Sequence, residues 1–313
     1  MVWKGYGIPG IASAVVQERK FMSQSFRSSY VTALLLAGFG GASAAVAAPA
    51  LLWELPGLAN PESALLDAKA GVIYVSQVNG APDAKDGNGA IATVSADGKL
   101  INAKWSTGLN GPKGLALSGG KLFVADIDNL HEVDTKDGKI VKSYPAKDAK
   151  FLNDVAADAA GNVYVSDMLT NTIWRLAGGK FEVFLQDAKL ASPNGLLVEG
   201  GNLRVASWGV MTDGFATKVP GHLISVALDS KAISNIGDAK PFGNLDGLEP
   251  LGGGAYLVSD WMAGTVMKFS ADSKVEVLLD LGQGSADIGY DAASKTMFVP
   301  LMKKDILQAY KVE

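Results

Sequence analysis

A short apolar pattern recurs six times along this chain, and no other feature limits the possible folds as tightly. The copies are Gly71-Val-Ile-Tyr-Val-Ser-Gln77, Gly120-Lys-Leu-Phe-Val-Ala-Asp126, Gly161-Asn-Val-Tyr-Val-Ser-Asp167, Gly201-Asn-Leu-Arg-Val-Ala-Ser207, Gly254-Ala-Tyr-Leu-Val-Ser-Asp260 and Lys295-Thr-Met-Phe-Val-Pro-Leu301. The equivalent residues Ile73, Leu122, Val163, Leu203, Tyr256 and Met297 lie 49, 41, 40, 53 and 41 positions apart. That is the ~40–50-residue period of propeller blades.

Each unit reads as four short strands, a to d, divided by Gly-Gly and Asp-Gly turns. In the fourth, Gly195–Glu199 is strand a, Asn202–Trp208 strand b, His222–Leu228 strand c and Lys231–Ile236 strand d. The strands are apolar on both faces, which suits sheets stacked about 10 Å apart. Helical periodicity is sustained nowhere. The last repeat runs out after its third strand, Ile306–Val312, while Ala50-Leu-Leu-Trp-Glu-Leu55 forms a strand ahead of the first unit. The expectation is therefore an all-β, six-bladed β-propeller over residues 48–313, closed by an N-terminal strand that completes the last blade and hides its edge.

Residues 1–47 differ in character. Arg27 precedes an apolar run from Val31 to Ala47 centred on Leu34–Leu36, and Ala45-Val46-Ala47 offers a small-x-small cleavage site. This reads as a secretory signal peptide opened by Met22, with residues 1–21 as an upstream extension. The run falls short of the roughly 20 strongly apolar residues of a membrane span. The expected product is periplasmic or secreted, with no membrane span after signal removal.

Composition excludes several chemistries. The chain has no Cys, which rules out disulfides, thiolate metal sites and cysteine nucleophiles, and only 2 His. The 28 basic residues are outnumbered by 32 acidic ones, and Lys4, Arg19, Lys20 and Arg27 belong to the leader. The remainder is more acidic still, so a nucleic-acid partner is not expected.

In a propeller strand a lines the central channel, and the residue just ahead of it stands at the channel mouth. Reading these positions in register gives Glu62, Lys113, Asn153, Asn194, Asp246 and Asp287. Five of the six are oxygen donors. Asn and Asp also form turns by bonding their own backbone, but agreement across repeats favours a shared ligand, a hard divalent cation such as Ca²⁺. Asp126-Ile-Asp128 does not continue as a calcium loop, since Leu130 and His131 occupy the next ligand and Gly places.

The segments Pro61-Glu62-Ser63, Asn153-Asp154-Val155, Ser192-Pro193-Asn194-Gly195 and Leu245-Asp246-Gly247 resemble the metal motifs of the SMP-30/gluconolactonase/luciferin-regenerating-enzyme family, with more distant similarity to paraoxonases and strictosidine synthase. The resemblance runs over residues 50–313. It implies Glu62, Asn194 and Asp246 as ligands of a catalytic divalent metal, usually calcium, with Asn153 as a fourth ligand or substrate contact. Where the family often has Glu-Gly-Pro, this chain has Glu62-Ser63-Ala64, closer to the paraoxonase-like and synthase-like branches.

The implied activity is metal-dependent hydrolysis of a lactone or other ester, the cation acting as Lewis acid on the carbonyl. Asp246 is the first candidate for the base that activates water, and Asp287 the second. Lys113 is expected to pair with Glu62, to receive an anionic substrate group, or to be a solvated turn lysine. Asp287 is a further ligand, a ligand through water, or a partner of Lys113. Loops between strands b and c emerge at the mouth and carry Met168, Trp208, Met211, Phe215, Trp261, Met262 and Met302, an apolar rim for substrate. His222 ends the longest of these loops, as an acid or base at the rim or as a structural residue; His131 has no assigned role. The competing readings are a non-catalytic binding module with structural calcium and a strictosidine synthase-like enzyme.

Overall fold

The computed structural model describes residues 48–313. The signal-peptide reading and the upstream extension lie outside the described residues. Among the described residues no helix is long and apolar enough to cross a membrane.

Six four-stranded antiparallel sheets follow one another along the chain. The first comprises β2 (Pro61–Asp67), β3 (Val72–Gln77), β4 (Gly89–Ser95) and β5 (Leu100–Leu109). The second holds β6 (Pro112–Ser118), β7 (Lys121–Asp126), β8 (Asn129–Asp134) and β9 (Ile140–Pro145), and the third β10 (Leu152–Ala157), β11 (Val163–Asp167), β12 (Thr172–Ala177) and β13 (Lys180–Gln186). The fourth is built of β14 (Pro193–Glu199), β15 (Asn202–Ser207), β18 (Leu223–Ala227) and β19 (Ile233–Asn235), and the fifth of β20 (Leu245–Gly252), β21 (Ala255–Asp260), β22 (Thr265–Phe269) and β23 (Val275–Asp280). First strands of successive sheets touch in cyclic order, with β2 meeting both β6 and β24 (Gly289–Asp291), so the ring is closed.

Closure takes the expected form. The sixth sheet runs in the order β1 (Ala50–Pro56), β26 (Ile306–Lys311), β25 (Thr296–Leu301), β24. β1 pairs antiparallel to β26 from Ala50↔Lys311 to Pro56↔Ile306, so the two ends of the described chain are hydrogen-bonded into one blade.

Side chains in a strand alternate faces, and both faces of the inner strands are covered by neighbouring blades while the outermost strands stay partly exposed. Ile73 and Val75 point toward blade six, where Phe298, Leu307 and Ala309 meet them. Tyr74, between them, points the other way and packs with Leu115, Leu122 and Val124 of blade two. The same alternation gives one apolar cluster at each of the other four blade junctions. Burying each Leu, Ile or Phe contributes about 1.5–3 kcal/mol, so the ring is held by six shared cores and not by one centre.

The fourth blade departs from expectation in one respect. The long segment before His222 contains an added hairpin, β16 (Gly209–Met211) paired with β17 (Thr217–Pro220). This insertion explains the 53-residue spacing of that repeat.

Candidate metal and substrate site

Every strand a carries a two-residue bulge at the mouth. In blade one the pairing passes from Pro61↔Gln77 to Ala64↔Val75, so Glu62 and Ser63 together face Ser76. The bulge recurs at Lys113-Gly114, Asn153-Asp154, Asn194-Gly195 and Asp246-Gly247. Bulges re-aim side chains, and here the first residue of each pair lines a common pocket at the mouth. Its polar members are Glu62, Lys113, Asn153, Asn194 and Asp246.

The repeated acidic residue at the end of strand b holds these bulges in place. Asp126 accepts from the N–H groups of Asn110 and Gly111 (2.8 and 2.7 Å), and Asp167 from Lys150 and Phe151 (3.0 and 3.1 Å). Asp260 accepts from the N–H of Asn244 and Gln77 Oε1 from that of Ala59, whereas Ser207 at the same place in blade four donates its hydroxyl to the carbonyl of Leu190. The repeat motif therefore ends in a clamp on the chain entering the mouth. Asp126 is used in this way, and its Oδ2 is also 3.3 Å from His131 Nε2.

Asp287 requires a correction. The sequence register sets it beside Glu62 and Asp246, but the bridge Ser285↔Leu301 followed by Gly289↔Phe298 makes Ala286 the first and Asp287 the second bulge residue of blade six. The hydrogen bonds agree: Ser259 Oγ donates to the carbonyl of Ala286 as Ser166 Oγ does to that of Asn194, both at 2.8 Å. Asp287 therefore lines the channel beneath the mouth, in a cavity of about 260 Å³ that also contains Ser63, Asp154 and Glu249. Ser63 Oγ donates to it at 2.5 Å. The extra residue of the bulge shifts the count by one, which sets Ala286 at the mouth and Asp287 below it.

The mouth pocket has a volume of about 120 Å³. Above the polar floor its walls are Pro82, Phe151, Met168, Trp208, Phe215, Trp261 and Met302. Trp208, Phe215 and Trp261 thus stand where the rim was expected. Met211 packs against the cluster of Phe151, Met168 and Trp208 without lining the pocket, and Met262 is exposed outside it. His222 is not at the rim: its Nε2 lies 3.0 Å from Asn235 Oδ1, on outer strand β19. Strand c starts at Leu223, one residue later than expected, and the His222 side chain ahead of it reaches strand d. His131 is held between Ser143 and Asp126 within blade two.

Pro82 and Phe151 were not foreseen. Pro82 lies in the b–c connection of blade one, so the loop rule that selected Trp208 reaches it too, although its residue type gave no signal. Phe151 stands two residues ahead of Asn153 and enters the pocket because the Asp167 clamp turns the backbone there.

Burial dominates the electrostatics of the floor. Desolvation, with Asp246 and Asp287 close by, holds the Glu62 carboxyl well above the usual carboxylate range, and desolvation together with Asp287 does the same to Asp246. The amide of Asn194 opposes that rise at Asp246. Burial pushes the Lys113 ammonium down to about 8, with Glu62 opposing. Lys113 is 2% exposed, donates to the carbonyls of Pro82 and Gly111 at 2.8 Å each, and stands 4.3 Å from the centre of the Phe151 ring. It is a buried cation of the floor and not a solvated turn lysine.

Two floor oxygens, Glu62 Oε2 and Asn194 Oδ1, are buried without any hydrogen-bond partner. Asn194 directs its Nδ2 to the carbonyl of Leu245 at 3.1 Å and Asn153 its Nδ2 to Met168 Sδ at 3.7 Å. Among the described residues no group of three or more Asp, Glu, His or Cys gathers to hold a metal by itself. The donor set is mixed, two carboxylates with two amides. Unpaired buried oxygens of this kind fit a hard, oxygen-preferring cation.

No family model matches this sequence, and no curated protein sequence matches it. The structure is similar to virginiamycin B lyase from Staphylococcus aureus, with TM-score 0.57 and 13% identity over 83% of this chain and 99% of that one. It is likewise similar to a streptogramin B lyase, with TM-score 0.57 and 12% identity over 82% and 96% of the two chains. A nidogen/laminin complex matches with TM-score 0.54 and 17% identity over 69% and 79%. Enzymes thus occur among the proteins sharing this fold, and the likeness at these identities is one of fold.

Proposed function

We propose that this chain is a divalent-metal-dependent hydrolase of lactones or other esters, with calcium as the metal, acting in the periplasm or outside the cell. The observation that carries this reading is the pair of partnerless buried oxygens, Glu62 Oε2 and Asn194 Oδ1, in the pocket that also contains Asn153 and Asp246.

Glu62, Asn153, Asn194 and Asp246 would hold the ion, which when bound supplies a Lewis acid for the substrate carbonyl. Asp246 takes the proton from the attacking water. Asp287, one position below the mouth, is too deep to be first choice for that role, and it acts on Asp246 through its charge. Lys113 keeps a positive charge on the floor, fixed by two backbone carbonyls, where negative charge develops on the carbonyl oxygen. The apolar walls keep bulk water from these charges and so strengthen their interactions.

A lyase reading has less support. Virginiamycin B lyase has been crystallised as a catalytically inactive histidine-to-alanine variant with quinupristin. In this chain both histidines lie away from the pocket.

The test uses purified residues 48–313, a calcium titration and a panel of esters and lactones with and without chelator. Turnover that vanishes on chelation and in Asp246→Ala, with the fold retained, supports the hydrolase. Stoichiometric metal without turnover of any panel member identifies a binding module with structural calcium.

A further inference from the structure

The hairpin inserted in blade four is built onto the mouth pocket. At its base Gly221 lies so close to Ser207 that a Cβ would stand 1.8 Å from the Ser207 carbonyl oxygen. Asn244, ahead of the fifth strand a, donates through Nδ2 to the Trp208 carbonyl and to Thr217 Oγ1, at 2.8 and 2.9 Å. At the tip the Trp208 indole N–H donates to the carbonyl of Phe215 at 2.9 Å. These bonds set the Phe215 ring 5.6 Å from Phe151 and 6.1 Å from Trp208, tilted or edge-on to each.

Several donors around this space already have partners. Trp208 spends its N–H on Phe215, Asn153 and Asn194 each direct one of two N–H groups to Met168 and Leu245, and Lys113 uses two of three on carbonyls. Between the rings of Phe151, Trp208 and Phe215 a ligand hydroxyl would exchange water for carbon, which is costly when no bond replaces the lost one; the unpaired acceptors Glu62 Oε2 and Asn194 Oδ1 belong to the floor, where the ion would engage them. The volume of about 120 Å³ is also small. It is close to the ~150 Å³ of an apolar cavity that takes up benzene.

We propose that the hairpin Gly209–Pro220 fixes the substrate class: Phe215, set against Phe151 and Trp208, forms a slot for one apolar ring. The substrates are then lactones or esters bearing an aromatic or alicyclic ring, and polyhydroxylated sugar lactones are excluded. This rests on the ester-hydrolase reading above and deepens it.

The test separates the two ideas by using acetophenone, which keeps a ring and a carbonyl but has no ester to cleave, beside phenyl acetate and glucono-δ-lactone. Acetophenone binding to the calcium-loaded protein is read by tryptophan fluorescence, since Trp208 and Trp261 line the pocket. Phe215 is 40% exposed, so replacing it leaves the blade cores intact. The expected result is saturable binding that weakens roughly tenfold in Phe215→Ala and less in Phe215→Leu, with phenyl acetate preferred over glucono-δ-lactone in kcat/KM. Absent binding, equal binding in Phe215→Ala, or preference for glucono-δ-lactone overturns the slot. Phe215-dependent acetophenone binding without turnover of either ester keeps the slot and refutes the hydrolase. Asp246-dependent turnover favouring glucono-δ-lactone does the reverse.

Discussion

The hydroxyl of Ser166 donates a hydrogen bond to the carbonyl oxygen of Asn194 at 2.8 Å and so ties the third blade to a candidate ligand of the fourth. The same hydroxyl accepts from the N–H of Asp154 at 2.9 Å, satisfying the bulge of its own blade. Ser259 repeats the arrangement between Gly247 and Ala286. The positions of the mouth residues are therefore set between blades as well as within them.

Ser166→Ala leaves a buried N–H and a buried carbonyl without their partner. The expected cost is about 2–3 kcal/mol of stability, read by urea unfolding, together with weaker calcium binding in a titration. Unchanged calcium affinity would show that the tie does not position Asn194.

Glu62→Gln and Asp246→Asn each remove one of the two carboxylates of the donor set. Calcium affinity should fall roughly a hundredfold, because affinity follows ligand charge. The parent chain should gain about 2.7 kcal/mol at calcium one hundred times its Kd, seen as a raised Tm that chelator reverses. Neither variant should show that gain at the same concentration.

Gly195 has no room for a side chain, since a Cβ there would stand 1.9 Å from the carbonyl oxygen of Asp246. Gly195→Ala must push two neighbouring strands apart at the axis. We expect a loss of about 1–3 kcal/mol, as for overpacking, and loss of the calcium-dependent rise in Tm. A variant with parental Tm and calcium response would mean the strands yield without cost.

Without metal, stability should fall as pH rises from about 4 to 7. Burial raises the Asp287 carboxyl from 3.8 to about 7, and Asp154 and Glu249 beside it are raised well above the usual range. Over that window the folded chain holds protons that the unfolded chain has released, so deprotonation favours unfolding. Below pH 4 both states are protonated and the effect is absent. Asp287→Asn should flatten the fall, measured by unfolding midpoints in chelator; an equally steep fall would assign it to other groups.

Deleting residues 48–56 removes β1 and bares the edge of β26. Exposed edges pair with other chains, so the shortened protein should aggregate and lose cooperative unfolding. A soluble monomer with parental Tm would show that the ring closes without this strand.

The fold was legible in the sequence because each unit repeats the same alternation, and alternation alone decides which side chains can be buried. Ile73 and Tyr74 illustrate this, adjacent in sequence and buried against different blades. The mouth residues of blades one to five were legible for the same reason. Asp287 was not, because the two-residue bulge breaks the simple count and the sixth blade has no Pro or Leu marking its start. Nor did residue type reveal that Asp126, Asp167 and Asp260 clamp backbone N–H groups, since a carboxylate looks the same in sequence whether it holds a metal or a loop.

The sequence by itself determined the number of blades, the strand that closes the ring and five of the six residues at the mouth, because these follow from local periodicity. Tertiary structure alone decided which side chains form the pocket walls, how the inserted hairpin places Phe215, that His222 turns outward and that Asp287 sits below the mouth. Those outcomes depend on contacts between blades and on bulge geometry, where residues far apart in the chain compete for the same space and the same hydrogen bonds.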